Sequence, residues 1–314
     1  MVQIINLLLY ILSFAIIWYG SGLIVTSASK FSTKLRLSPF AFSFVFLGIL
    51  TSIPEFSVGL QAVADKTPQI FVGNLLGGIL VLFLLVIPAL AIFGKGISLK
   101  HELDNITLIA TLTVILAPSA FMLDGMATKF EGIALIILYL TVLFLVQRKN
   151  GIFDKNNSQL LNIKAYSYKD ILRILLGIGI VFFASSIIVE KTVYFANIFN
   201  TPAFYISLII VAVGTDLPEL SLALRSVVSG KKEIAMGDYI GAAAVSPFLF
   251  GVFTLLNNGE VVPVGNFMVT FVFTLIAMIL FYFFFRTKKY ISKNQGIILL
   301  CIYILFITVE LVWK

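Results

Sequence analysis

Four carboxylates, those of Glu55, Asp216, Glu219 and Asp238, sit deep in long apolar runs. A charged side chain at the centre of a membrane helix costs about 2.5–3.5 kcal/mol on insertion scales. Four together call for a compensating cation or protons. Glu55 closes the stretch Thr51-Ser52-Ile53-Pro54-Glu55, and Glu219 closes Thr215-Asp216-Leu217-Pro218-Glu219. The two copies are separated by a fixed offset, 215 minus 51. Downstream, Gly73-Asn74-Leu75-Leu76-Gly77 and Gly237-Asp238-Tyr239-Ile240-Gly241 keep the same offset, 237 minus 73. One spacing held by two motifs indicates an internal duplication.

Helical periodicity puts Gly48, Ser52 and Glu55 on one stripe and Ala212, Asp216 and Glu219 on its counterpart. Pro54 and Pro218 each remove a backbone donor, which frees carbonyls near residues 50–51 and 214–215. Carboxylates beside free carbonyls and the hydroxyls of Thr51, Ser52 and Thr215 make an oxygen cage. That is the donor set taken by hard cations such as Ca²⁺ and Na⁺. Two half-cages facing across a pseudo-two-fold axis would form one site near mid-membrane. A proline kink beside Ser or Thr is also a common structural device in membrane helices. Here both copies carry an intramembrane Glu, which the structural device does not need. Asp238 follows a glycine at an expected helix start, so capping backbone donors competes with a role at the site. Glu102, Asp104, Asp154 and Glu260 read as solvated loop residues, and Glu310 as one that reaches for the C-terminal interface. The run Phe281-Tyr282-Phe283-Phe284-Phe285 reads as lipid-facing or interfacial packing.

The elements that must position these groups are membrane helices. Hydrophobic residues make up 60% of the 314 and charged residues 12%, and mean hydropathy is +1.07. That composition describes a polytopic membrane protein. Apolar runs of spanning length fall at 3–26, 38–63, 69–93, 105–123, 130–147, 171–189, 202–228, 234–256, 262–285 and 295–313, ten in all. No basic residue and no clear small-residue cleavage site marks the first run, so it reads as a retained helix rather than a signal peptide. Cys301 is the single cysteine and His101 the single histidine, which excludes an intrachain disulfide, a cysteine cluster and a multi-histidine metal site.

The net charge of +7 is distributed as a membrane protein's, not as a nucleic-acid-binding patch. Eighteen Lys and Arg fall in the odd-numbered gaps between runs, and four, Lys66, Lys129, Lys191 and Lys314, fall on the other side. The positive-inside rule then puts the odd gaps in the cytoplasm and both termini outside a cell membrane. The polar gap at 148–170, with Asn156-Asn157-Ser158-Gln159, reads as a cytoplasmic linker between halves 1–147 and 171–314. Five helices per half force the halves into opposite orientations. The expected fold is an all-α polytopic membrane protein, ten transmembrane helices as two inverted five-helix repeats.

At these residues the chain resembles the calcium/cation antiporter superfamily, which includes the sodium/calcium exchangers. That family repeats G-T-S-x-P-E followed by G-N-x-x-G-S. Here the first repeat reads Leu50-Thr51-Ser52-Ile53-Pro54-Glu55 and Gly73-Asn74-Leu75-Leu76-Gly77-Gly78. The second reads Gly214-Thr215-Asp216-Leu217-Pro218-Glu219 and Gly237-Asp238-Tyr239-Ile240-Gly241-Ala242. The resemblance implies that Glu55 and Glu219 coordinate Ca²⁺ with the carbonyls of Thr51 and Thr215. It implies sodium ligands in the side chains of Thr51, Ser52 and Thr215 and the carbonyls of Gly48 and Ala212. Asp216, which departs from the family motif, joins the cation-binding set as a carboxylate gained, and Asn74, Ser246 and Asp238 are further candidates.

The motif serines are replaced by Gly78, Ala242 and Asp216, and the family's polar residue four positions on is Leu82 in one half and Ser246 in the other. One carboxylate has thus moved from the 246 position to the 216 position. Three carboxylates this close in a low-dielectric place cannot all ionise when empty, so proton coupling in place of sodium coupling is an expectation of its own.

The function implied is secondary antiport of a cation, Ca²⁺ against Na⁺ or H⁺, by alternating access. Helices one and six would slide past a fixed core, with Gly20 and Gly22 permitting close contact. The alternatives are an antiporter for another cation, or a degenerate exchanger that binds cations without transport. A compact carboxylate cluster binds too tightly for a channel, and no hydrolase motif is present, so the chain is not expected to be an enzyme. The expected partners are the lipid bilayer and small inorganic cations, with no cofactor, no nucleic acid, and a monomer as the working unit.

Overall fold

The computed structural model describes residues 2–35, 43–94, 96–98, 105–150, 168–220, 232–257, 260–261, 267–288 and 290–312. Nine helices among them are long and apolar enough to cross a membrane: Val2–Ile24, Pro68–Phe93, Asn105–Asp124, Lys129–Val146, Tyr168–Ile198, Ala203–Leu220, Met236–Leu256, Phe267–Arg286 and Lys293–Val312. The pair Phe44–Thr51 and Ile53–Ala64, bent by 47°, makes a tenth as one broken span. In chain order these are spans one to ten, with the broken pair as span two, and they match the ten apolar runs one for one. The heart of the linker (151–167), His101, Glu102, Asp104, and residues 38–42, 221–228 and 262–266 of the expected spans lie outside the described residues.

Span two breaks where its sequence forbids an unbroken helix. Pro54 has no N–H to donate, and it falls in the first turn of the new helix Ile53–Ala64, where that donor is not needed. Ser52 forms the turn between the two pieces, and Asp216 forms the matching turn in span seven. Just upstream, Ser43–Leu47 and Ser207–Val211 are single π-helical turns, related by the offset of the motifs, 207 minus 43. A π turn carries an extra residue per turn and re-aims the chain beyond it, which is why such turns gather at functional sites. A third, Leu82–Val86, interrupts span three. Its counterpart in span eight starts at Ser246 and stays α-helical around Pro247.

Burial sorts the spans into an inner and an outer set. In the most apolar stretches of spans three and eight, 83% and 78% of residues are buried, against 28% in each of five, six and ten. The inner spans cross closely, because glycine removes the side chain at each crossing. A Cβ on Gly77 would stand 2.1 Å from the Leu208 carbonyl oxygen, and one on Gly241 the same distance from that of Phe44. Gly77 and Gly241, and likewise Phe44 and Leu208, are equivalent under the duplication, so the two crossings are one contact used twice. Spans one and six pack along each other through Gly20 and Gly177, each approaching the other's carbonyl. Gly22, expected to share that contact, faces open space instead.

Two short antiparallel pairs join the halves. Ile97–Ser98 (β1) pairs with Tyr290–Ile291 (β4), and Ala127–Thr128 (β2) with Glu260–Val261 (β3). One offset carries β1 onto β3, 260 minus 97, and β2 onto β4, 290 minus 127, so the pairs exchange places under the duplication. One pair follows an odd-numbered span and the other an even-numbered one, as an inverted repeat requires.

Two readings of side-chain environment are corrected. Phe281 and Phe285 are buried, Tyr282 and Phe284 are partly covered, and only Phe283 of that run is largely exposed. A four-residue helical period turns two of the aromatics into the core, where Phe281 meets Phe83 edge-on at 5.0 Å. Glu310 does not reach for the interface. It is covered by protein, on the same face of span ten as Leu299, Tyr303 and Phe306.

Candidate cation site

The two breaks bring the paired motifs together at the middle of the inner spans. One oxygen from each of Glu55, Asp216 and Glu219 lies within 4.8 Å of the others, and all three side chains are buried. Both carboxylate oxygens of Glu55 and of Glu219, and Oδ2 of Asp216, have no hydrogen-bond partner. A buried carboxylate without donors is costly. Three buried carboxylates gathered this closely, with five oxygens lacking donors, describe a place prepared for positive charge.

Two cross-repeat hydrogen bonds frame this volume. Thr51 Oγ1 donates to Asp238 Oδ1 at 3.1 Å, and Thr215 Oγ1 donates to Asn74 Oδ1 at 3.0 Å. The two bonds are equivalent under the duplication, so each half's motif threonine is held by the other half's Gly-Asn/Asp motif. Asp238 is therefore not a helix cap. Its helix begins at Lys232, well before it, and its side chain is fully buried against span two. Its Oδ2 and the Asn74 Nδ2 are left without partners.

The remaining candidates are close by but more occupied. Ser52 Oγ donates to the Gly48 carbonyl at 2.7 Å, and the Ser52 N–H reaches the same oxygen at 3.2 Å. The Ala212 carbonyl accepts the Asp216 N–H at 3.1 Å and the Thr215 hydroxyl at 3.2 Å. The family resemblance makes ligands of the Gly48 and Ala212 carbonyls, but the turns at 52 and 216 fold back on both. The hydroxyls of Thr51, Ser52 and Thr215 spend their protons on other oxygens and keep lone pairs for a cation. Ser246 Oγ donates to the Ala242 carbonyl one turn back at 3.3 Å.

One buried polar group escapes the sequence reading. Tyr303 of span ten is buried and its hydroxyl has no hydrogen-bond partner. Nothing in its local sequence marks it.

Comparison with known proteins joins this geometry to a family. The family described as sodium/calcium exchanger protein matches residues 5–147 and 169–312, nearly the whole chain. The chain belongs to this family. It is a multi-pass membrane transporter of the cation-exchanger type, and not an enzyme. The exchanger is 26% identical over 347 residues to the sodium/calcium exchanger MaX1 of Methanosarcina acetivorans, covering 97% of this chain and 98% of that one. It is 25% identical over 300 residues to the inner membrane protein YrbG of Escherichia coli, covering 93% and 92%. A structure of the sodium-calcium exchanger NCX_Mj in 2.5 mM Na⁺ and 10 mM Sr²⁺ superposes with a TM-score of 0.71 at 24% identity, over 97% of this chain and 98% of that one. The fold expected from the duplication is the fold of that exchanger.

Proposed function

We propose that this exchanger carries a hard divalent cation, Ca²⁺ foremost, against Na⁺ or H⁺, at the site framed by Glu55, Asp216 and Glu219. One observation carries the reading: three buried carboxylates contributed by both repeats, with one oxygen from each no more than 4.8 Å from the others and five of the six oxygens without a hydrogen-bond partner. Two oxygens on one Ca²⁺ at 2.3–2.6 Å are at most about 5.2 Å apart, so a single ion can touch all three. The carbonyls and hydroxyls of Thr51 and Thr215 and the hydroxyl of Ser52 complete the donor set. Gly48, Ala212, Asn74, Asp238 and Ser246 act as supports around it. Three carboxylates exceed the charge of one divalent ion, so a second, monovalent cation balances the loaded or the returning state. That requirement supports coupling to Na⁺ or H⁺.

In this reading the repeats are residues 1–147 and 171–314, the linker 148–170 is cytoplasmic, both termini face outward, and the working unit is a monomer. Spans one and six, in contact through Gly20 and Gly177, slide over the inner spans to expose the site to alternate sides. The test is ⁴⁵Ca²⁺ uptake into proteoliposomes under an outward Na⁺ gradient and then an outward proton gradient, with Glu55→Gln and Glu219→Gln beside the wild type. Uptake under either gradient, lost in both variants, is the expected result and names the counter-ion. Uptake that survives both substitutions overturns the site. A second reading, an exchanger that binds cations without moving them, draws on Gly78, Leu82 and Ala242, which offer no side-chain oxygen beside the site. Binding without flux under both gradients would select it.

A further inference from the structure

Span three carries Gly73, Gly77 and Gly78, and they do different things. Gly73 and Gly77 let it cross span seven backbone to backbone; a Cβ on either would stand 2.5 Å or less from a carbonyl oxygen of Phe204 or Leu208. Gly78 is not needed for any crossing. The three nearest atoms to a Cβ built there are all from the Asp216 carboxylate, Oδ2 at 3.4 Å, Oδ1 at 3.8 Å and Cγ at 3.9 Å. Those are ordinary contacts, so alanine would fit and packing does not explain the glycine. Its effect is to leave room for one more side-chain carbon beside the Asp216 carboxylate, whose Oδ2 has no hydrogen-bond partner.

We propose that Gly78 is a specificity-determining residue that acts through Asp216. The glycine leaves the third carboxylate free to meet the cation. It thereby tunes the site toward divalent and against monovalent cargo. This rests on the proposed cation antiport and names its selectivity device. The volume spanned by the three carboxylate oxygens accommodates one ion. One divalent ion leaves a residual charge of about −1 there and one Na⁺ leaves about −2, and uncompensated charge in a low-dielectric interior is expensive. Without Asp216 in place, two glutamates remain, and the gap between the two cargoes narrows.

The experiment is equilibrium ⁴⁵Ca²⁺ binding to the purified full-length protein, with Na⁺ competition, for the wild type, Asp216→Asn, Gly78→Val, Gly78→Ala and the double variant Gly78→Val/Asp216→Asn. Asp216→Asn and Gly78→Val should each weaken Ca²⁺ about tenfold while leaving Na⁺ competition nearly as strong, so that the Ca²⁺/Na⁺ preference falls. Gly78→Ala should lower that preference by about threefold. The double variant should be no worse than Asp216→Asn alone, because Gly78 acts through that carboxylate. Additive losses, or a preference unchanged in Asp216→Asn and Gly78→Ala, overturn the proposal. Gly78→Ala adds one carbon that meets only ordinary contacts, so it keeps the test readable if Gly78→Val does not fold. Shifted preference in a protein that binds but shows no flux would sink the antiport reading and leave this one standing. Flux with an unshifted preference would do the reverse, and a wild type that binds no divalent cation would overturn both.

Discussion

The two halves of this exchanger share a backbone and differ in charge. Each has a π turn before its motif, a turn at residue 52 or 216, a proline at 54 or 218, and a threonine hydrogen-bonded to the opposite half. Yet the first half brings one deep acid, Glu55, and an amide, Asn74. The second brings three, Asp216, Glu219 and Asp238. Duplication has kept what sets geometry and let go of what sets electrostatics. Helix crossings and breaks depend on backbones in direct contact and tolerate no added atom. A cation senses the sum of charge around it and is indifferent to which half supplies it.

The largest test of that comparison removes charge from each half in turn. Glu55→Gln and Glu219→Gln should each weaken Ca²⁺ binding by roughly 100-fold, about 2.7 kcal/mol, and abolish exchange. If only Glu219→Gln did so, the first half would be scaffold rather than site. Next come the crossings. Gly77→Ala and Gly241→Ala force the same clash in the two halves, and each should cost about 1–3 kcal/mol of stability by overpacking. Matched losses in detergent unfolding would uphold the backbone symmetry, and a large inequality would break it. Asp238→Asn restores the amide that the first half has. It keeps the acceptor for Thr51, so stability should stay within about 0.5 kcal/mol while Ca²⁺ affinity falls severalfold. A large loss of stability would mean that the asymmetry serves folding instead. The smallest effect belongs to a bond that the duplication does not repeat among the described residues, Tyr10 Oη with Thr192 Oγ1 at 2.8 Å. Tyr10→Phe should cost about 1 kcal/mol and leave ion binding unchanged.

Much of this is legible in the sequence because membranes make it so. An apolar solvent demands runs of spanning length, and an acid inside one cannot be incidental, so the ten spans and the cluster of Glu55, Asp216 and Glu219 can be read from spacing alone. The π turns cannot. They arise when a hydrogen-bond ladder slips by one residue, and Ser43–Leu47 has no side-chain signature that its α-helical neighbours lack. Asp238 misleads for a related reason: a glycine before an acid resembles a helix start, and only the residues upstream decide whether the helix has already begun. The burial of Glu310 and that of the Tyr303 hydroxyl depend on which spans become neighbours. Periodicity reports the face a residue takes, and says nothing of what covers it. Gly78 illustrates the same limit most plainly, since the carboxylate beside it belongs to the other half of the chain.

The small strand pairs bear on how such a protein is made. β1 leaves the ribosome with span three, whereas its partner β4 comes only after span nine; β2 leaves after span four and waits for β3, after span eight. The loops of the first half therefore emerge with their backbone groups unpaired, and the second half must arrive before either is closed. Each pair can close only once the second half has been made, β2 waiting for β3 and β1 for β4, so the last links between the halves are tied late in synthesis.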